Sequence, residues 1–189
     1  MANEKIEILK LLISKKEEDF SIRKISKLRN INYKSAYNAL MELAKEGVVD
    51  LEKIGNTTIC KFKNVFNENV FLAEYFRRKD LFRNKDFLII QRRLSELKFP
   101  FIVLLFGSHA KGTSTKHSDI DILTIGGDKK EIKATISMLP DDIHLTSISY
   151  EDFVSMSKSK EFTVVSEAIK NNIILIGIDE YYRLIEYVR

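Results

Sequence analysis

One stretch constrains this chain more than any other: Gly107-Ser108-His109-Ala110-Lys111-Gly112-Thr113-Ser114-Thr115-Lys116-His117-Ser118-Asp119-Ile120-Asp121. A Gly-Ser pair closes an apolar run, Phe101 to Phe106, and two aspartates separated by one isoleucine follow. Residues i and i+2 of a strand share a face. A strand over Asp119–Ile125 therefore presents the Asp119 and Asp121 carboxylates together, with Ile120 turned to the core. Two such oxygens suit a hard divalent cation that also holds phosphates. Gly107 permits a tight turn and close approach of a ligand to the backbone. A helix opening at Ser108 would offer unpaired amides to an anion.

The spacing of Gly107-Ser108 and Asp119-Ile120-Asp121, with Gly112 between and Ile122-Leu123 after, resembles the minimal nucleotidyltransferase domains of the DNA polymerase beta superfamily. The resemblance covers about residues 99–178. It implies Asp119 and Asp121 as catalytic and metal-binding residues for Mg²⁺ or Mn²⁺. It implies Gly107, Ser108, Lys111 and Gly112 as the nucleotide-binding set for a nucleoside triphosphate, ATP foremost. It also implies a third carboxylate on the next strand, completing the cation site and activating the incoming hydroxyl. That strand reads Asp142-Ile143-His144-Leu145-Thr146, and the aligned position is His144. Three readings follow, in this order: transfer is impaired or absent; Asp142, two residues away on the same face and roughly 6–7 Å along the strand, substitutes; or His144 ligates a transition metal. The three histidines, His109, His117 and His144, match no compact zinc spacing.

The first half carries a different pattern. Ile6, Leu9, Leu12 and Ile13 recur at helical spacing, and Ser21 is placed to cap a short helix through Leu28. Asn30-Ile31-Asn32 is a turn. A helix over about 33–46 follows, with Ala36, Leu40, Leu43 and Ala44 inward, and Gly47 ends it. Val48–Leu51 and Thr57–Phe62 read as strands joined by Gly55-Asn56. This order over about residues 3–63 resembles the winged-helix domains of prokaryotic transcription regulators. That likeness implies that the second helix of the pair enters the DNA major groove. The expected DNA-binding residues are Arg29, Lys34, Ser35, Tyr37 and Asn38. Arg23, Lys24, Lys27 and Lys53 are backbone-contact candidates.

Charge supports the division without deciding it. Residues 1–100 carry 21 Lys/Arg against 14 Asp/Glu, and residues 101–189 carry 10 against 13. The basic half is the one suited to nucleic acid.

The expected architecture is thus α/β (α+β): a winged helix-turn-helix domain at 1–64, a helical connector at 65–98, and a nucleotidyltransferase-like mixed sheet with flanking helices at 99–189. The connector is expected as one long helix or two consecutive ones, decorated by Arg77, Arg78, Lys79, Arg83, Lys85, Arg92 and Arg93.

Two functions are weighed. One is transfer of NMP from an NTP to a hydroxyl of a protein, an RNA end or a small molecule. The other is a DNA-binding transcription regulator whose second domain senses nucleotide or dimerises. A regulator that modifies its partner would join the two, as a resemblance to toxin–antitoxin nucleotidyltransferases suggests. DNA and nucleotide are the expected partners; a protein partner or substrate and a homodimer stay open. No apolar run reaches membrane-spanning length. Met1-Ala2-Asn3-Glu4-Lys5 lacks a secretory signature, and Cys60 is the only cysteine. A cytoplasmic protein with no membrane partner is the expectation.

Overall fold

A computed structural model describes residues 2–139, 142–159 and 161–188. Pro140 and Asp141, which precede the strand read from Asp142, lie outside that set. The chain divides into two compact units, Met1–Phe76 and Arg77–Arg189.

The first unit runs α1 (Ala2–Ser14), β1 (Phe20–Ser21), α2 (Ile22–Leu28), α3 (Tyr33–Lys45), β2 (Val49–Ile54) and β3 (Thr57–Phe62), and α4 (Glu68–Leu81) begins in it. Ser21 caps α2 by accepting the Lys24 amide at 3.2 Å, and Asn32 caps α3 by accepting the Lys34 amide at 2.9 Å. These bonds satisfy amides that have no partner inside the helix. Gly47, at φ +74°, ends the third helix and lets Val48 N–H reach back to the Leu43 carbonyl at 2.9 Å. The chain then turns into β2. The strand order is β1-β3-β2, antiparallel throughout. Pattern reading had no signal for β1: two residues are too short to alternate, and Phe20 is strand only because it pairs with Cys60. The core is Ile8, Leu9, Leu12, Ile13, Phe20, Ile25, Ala36, Leu40, Leu43 and Cys60, all buried. Glu46 joins three helices of this unit, accepting from Lys5 at 2.8 Å, Asn69 at 2.9 Å and Asn67 at 3.2 Å. The Lys5 ammonium, with help from the two amides, holds its carboxyl below the usual range.

The second unit contains α5 (Lys85–Ser95), β4 (Phe101–Phe106), α6 (Gly107–Lys111), β5 (Ile120–Gly126), α7 (Lys129–Ile136), β6 (Ile143–Ile148), α8 (Tyr150–Lys158), α9 (Val164–Lys170), β7 (Ile173–Ile176) and α10 (Ile178–Val188). Its sheet has the order β6-β5-β4-β7. β4 is antiparallel to β5 and β7, and β5 is parallel to β6. One face buries Val103, Leu105, Ile120 and Ile122 under Phe87, Ile90 and Leu94 of α5 and Ile132 and Ile136 of α7. The opposite face is covered by α8, α9 and α10, which contribute buried Phe153, Val165, Ala168, Tyr181 and Tyr182. β4 is buried along its whole length, as a central strand between two helical layers must be. Asp128 caps α7 through the amides of Lys130 and Glu131 at 2.8 and 3.1 Å. Ser149 and Asp152 cap α8 reciprocally, which holds the Asp152 carboxyl low.

Residues 65–98 are two helices rather than one, broken at Asn84, whose side chain caps α5 at the Asp86 amide. α5 is no free-standing connector. Its apolar face, Phe87, Ile90 and Leu94, is part of the second unit's core. The mixed helical spacing hid this, because a helix that lies on a sheet and one that links two domains have the same periodicity. Among the described residues no helix is long and apolar enough to cross a membrane.

Candidate functional site

β4 delivers the chain to Gly107 and β5 brings Asp121 opposite it. Antiparallel pairing places Phe106 across from Asp121. Gly107 adopts φ +68°, a conformation that side chains rarely take, and a β-carbon there would strike the Asp121 carboxylate. Glycine is therefore required twice, by the backbone and by Asp121. α6 opens at this turn. Phe106 stands at its N-cap and offers no side-chain bond, so the first amides of α6 lack the side-chain acceptor that caps α2, α3, α5, α7, α8 and α9. Gly112, left-handed at φ +71°, closes the turn, and Thr113 N–H returns to the Ser108 carbonyl at 3.0 Å.

The loop to β5 is pinned from both sides. His109 Nε2 lies 3.1 Å from the Ser118 carbonyl, and its ring stands edge-on to Phe87 at 5.4 Å. Ser118 Oγ accepts the Thr115 amide at 2.9 Å. His109 is thus a structural fastener that sets where Asp119 emerges. Sequence reasoning found no compact zinc spacing for His109, and its ring contact to α5 had no local signal.

The two aspartates are not equivalent. Asp121 is the second residue of β5, with its side chain 27 % exposed, Oδ2 against Gly107 and Oδ1 3.3 Å from His144 Nδ1. Asp119 precedes the first paired residue of β5 and is exposed. It lines a polar cleft of about 810 Å³ with Asp142, Asp86, Asn84, His117 and Lys116. Asp121 is not part of that lining. The parallel register explains the pairing: His144 sits beside Asp121, Ile143 beside Ile120, and the Asp142 carbonyl accepts the Ile120 amide at 2.9 Å. The position aligned with the third acid is therefore an imidazole in contact with Asp121. Asp142 lies one step earlier, at the cleft shared with Asp119.

Among the described residues no three His, Cys, Asp or Glu side chains form a ready-made cation site. Two hard carboxylates fit a magnesium ion that takes its remaining ligands from water and phosphate oxygens. The same set is too small for an all-protein cage. Lys111 pairs with Glu167 of α9 at 2.8 Å. Ser108 is half-buried at the turn.

On the first unit, Lys34, Tyr37 and Asn38 are exposed on α3 and Ser35 is half-buried. Arg29 is half-buried. It caps the end of α2, its side chain is 26 % exposed, and its guanidinium lies 3.7 Å from Glu7 of α1. The carboxylate of α1 claims this charge because the turn after α2 packs back toward that helix. Lys24 is likewise engaged, with Glu18 at 3.6 Å and above the Phe20 ring at 4.4 Å.

Residues 89–181 match the model of the family described as Polymerase beta, Nucleotidyltransferase. The match begins inside α5, in keeping with that helix belonging to the second unit, and the unit carries a nucleotidyltransferase-type fold. No curated protein and no solved structure gives a significant match to the chain.

Proposed function

We propose that the second unit transfers a nucleoside monophosphate from a triphosphate, ATP foremost, to an acceptor hydroxyl, and that the first unit is a winged helix that binds DNA. The observation that carries the first part is the seating of Asp121 against Gly107, at a turn whose amides have no side-chain cap, inside a segment matching a nucleotidyltransferase family. Asp119 and Asp121 would hold the divalent cation, which supplies charge neutralisation at the triphosphate and at the attacking oxygen. The Gly107 and Ser108 amides donate to phosphate oxygens, and the glycine lets those oxygens approach the backbone. The cleft beside Asp119 receives the acceptor. Its hydroxyl oxygen bonds to the α-phosphorus as the bond to the bridging oxygen breaks, and pyrophosphate leaves with that electron pair. Asp142, in the same cleft, is the carboxylate placed to take the hydroxyl proton.

His144 favours a slow reaction. Where an oxygen donor would complete the site, an imidazole holds one oxygen of Asp121. A second reading rests on this contact: a regulator that binds nucleotide and transfers it poorly. The DNA part is supported by the element order of the first unit, its β1-β3-β2 sheet and the exposed Lys34, Tyr37 and Asn38.

The test is incubation of the protein with α-phosphate-labelled ATP, GTP, CTP and UTP, Mg²⁺ or Mn²⁺, and cell extract. Label transfer that disappears in Asp119→Asn and Asp121→Asn assigns the site. Nucleotide binding without transfer in any combination selects the second reading, and neither binding nor transfer removes both.

A further inference from the structure

The two edges of the second unit's sheet are finished differently. On β7 the backbone is covered: Arg77 donates to the Asn172 carbonyl at 2.6 Å and Arg78 to the Leu175 carbonyl at 3.0 Å. Among the described residues β6, the opposite edge, has no such cover. The bond from Ile120 N–H to the Asp142 carbonyl fixes which of its residues face β5. In a parallel ladder the alternate residues bond to the neighbouring strand. His144, Thr146 and Ile148 therefore bond inward, and the N–H and C=O groups of Ile143, Leu145 and Ser147 face outward. Among the described residues no hydrogen bond is recorded to those outward groups. The strand carries none of the usual guards of an open edge, neither lysine, glutamate nor proline.

A groove of about 510 Å³ runs along this edge. Its floor is apolar, with Ile136, Leu139, Ile143 and Leu145; Asp142 lines it at the start of the strand, and Lys129 and Lys133 stand one turn apart on α7 at the rim. Both lysines are exposed. Lys129 stands near enough to Asp152 to help hold that carboxyl low. Open strand groups, an apolar trough beside them and two exposed ammonium groups above it match one kind of ligand. A strand added to an edge gains main-chain hydrogen bonds and places alternate side chains over one face. On this face the complement is an apolar residue in the trough and a carboxylate at the lysines.

We propose that β6 is a docking edge for an extended acidic–apolar segment of a partner protein, which joins the sheet as a strand outside β6. The inference does not depend on the transfer reading. It has a consequence for it, since a strand bonded at Ile143 and Leu145 would stiffen the backbone on both sides of His144.

The probe is a short blocked peptide of alternating valine and glutamate, added to the full-length ¹⁵N-labelled protein. The expected result is slowed hydrogen exchange at the Ile143, Leu145 and Ser147 amides. The valine–lysine counterpart, and a valine–glutamate peptide N-methylated at alternate amides, should bind far more weakly. Lys129→Glu/Lys133→Glu, a surface change away from the core, should weaken binding by about tenfold. The proposal is overturned by no binding, by equal binding of the acidic and basic peptides, or by protection elsewhere on the protein. Concentration-dependent protection of the same amides without peptide also overturns it, because a second copy would then fill the edge.

Discussion

Two helices begin at the two proposed interfaces, and they begin in opposite ways. α3 in the first unit is capped by its own Asn32, so its Lys34 amide is already engaged and a ligand there meets exposed side chains such as Lys34, Tyr37 and Asn38. α6 in the second unit has phenylalanine at its N-cap and glycine as its first residue, so the backbone itself is available. Side-chain recognition tolerates substitution one residue at a time, whereas backbone recognition depends on a conformation that only glycine takes easily. The difference predicts how each unit fails.

The largest effect is expected at the backbone site. Gly107→Val would force a left-handed β-branched residue and drive its side chain into Asp121. Label transfer should fall by at least about a hundredfold while the first unit keeps its DNA affinity. Equal loss of both functions would mean global unfolding and break the comparison. Asp121→Asn should cost about a hundred- to thousandfold in transfer, and circular dichroism should show the fold intact. His144→Asp runs the other way. It replaces the imidazole beside Asp121 with the carboxylate that the site lacks, and transfer should rise by about tenfold or more. A fall would assign His144 a positive role in the reaction.

The smallest effects belong to the first unit. Lys34→Ala should weaken DNA binding modestly and reduce the slope of log K against log salt by about one. Arg29→Ala should leave that slope unchanged, because its guanidinium already lies beside Glu7. Cys60 reports on the core of the same unit. Burial pushes its thiol up to about 12. A thiol raised above its unfolded value favours the folded state at neutral pH, and that contribution is lost as pH rises beyond about 9, where the unfolded chain ionises. Cys60 should resist alkylation at neutral pH in the native protein and react at once in denaturant.

Much of this was legible in the chain because the signals were local. Ser21 and Gly47 announced helix ends through their own chemistry, and the Gly107-Ser108 and Asp119-Ile120-Asp121 pairs announced the site through spacing. The unequal environments of the two aspartates were not legible. They depend on Gly107 packing against one carboxylate and on where the loop pinned by His109 and Phe87 releases the other, contacts made between distant segments. The pairing of Lys111 with Glu167 was hidden for the same reason, since the acid comes from a helix far along the chain. His144 is the intermediate case: sequence flagged its position, and only the parallel register with Asp121 gave it a partner.

The central claim is that the Gly107-Ser108 turn and the Asp121 seated against it, together with Asp119, form a triphosphate site. It is tested most directly by titrating ¹⁵N-labelled protein with Mg²⁺ and ATP while following amide resonances. The account predicts saturable shifts at Gly107, Ser108, Asp119 and Asp121, lost in Asp121→Asn, with Asn32 to Ser35 unmoved. Saturable binding that leaves Gly107 and Ser108 unshifted, or no binding at all, would contradict it.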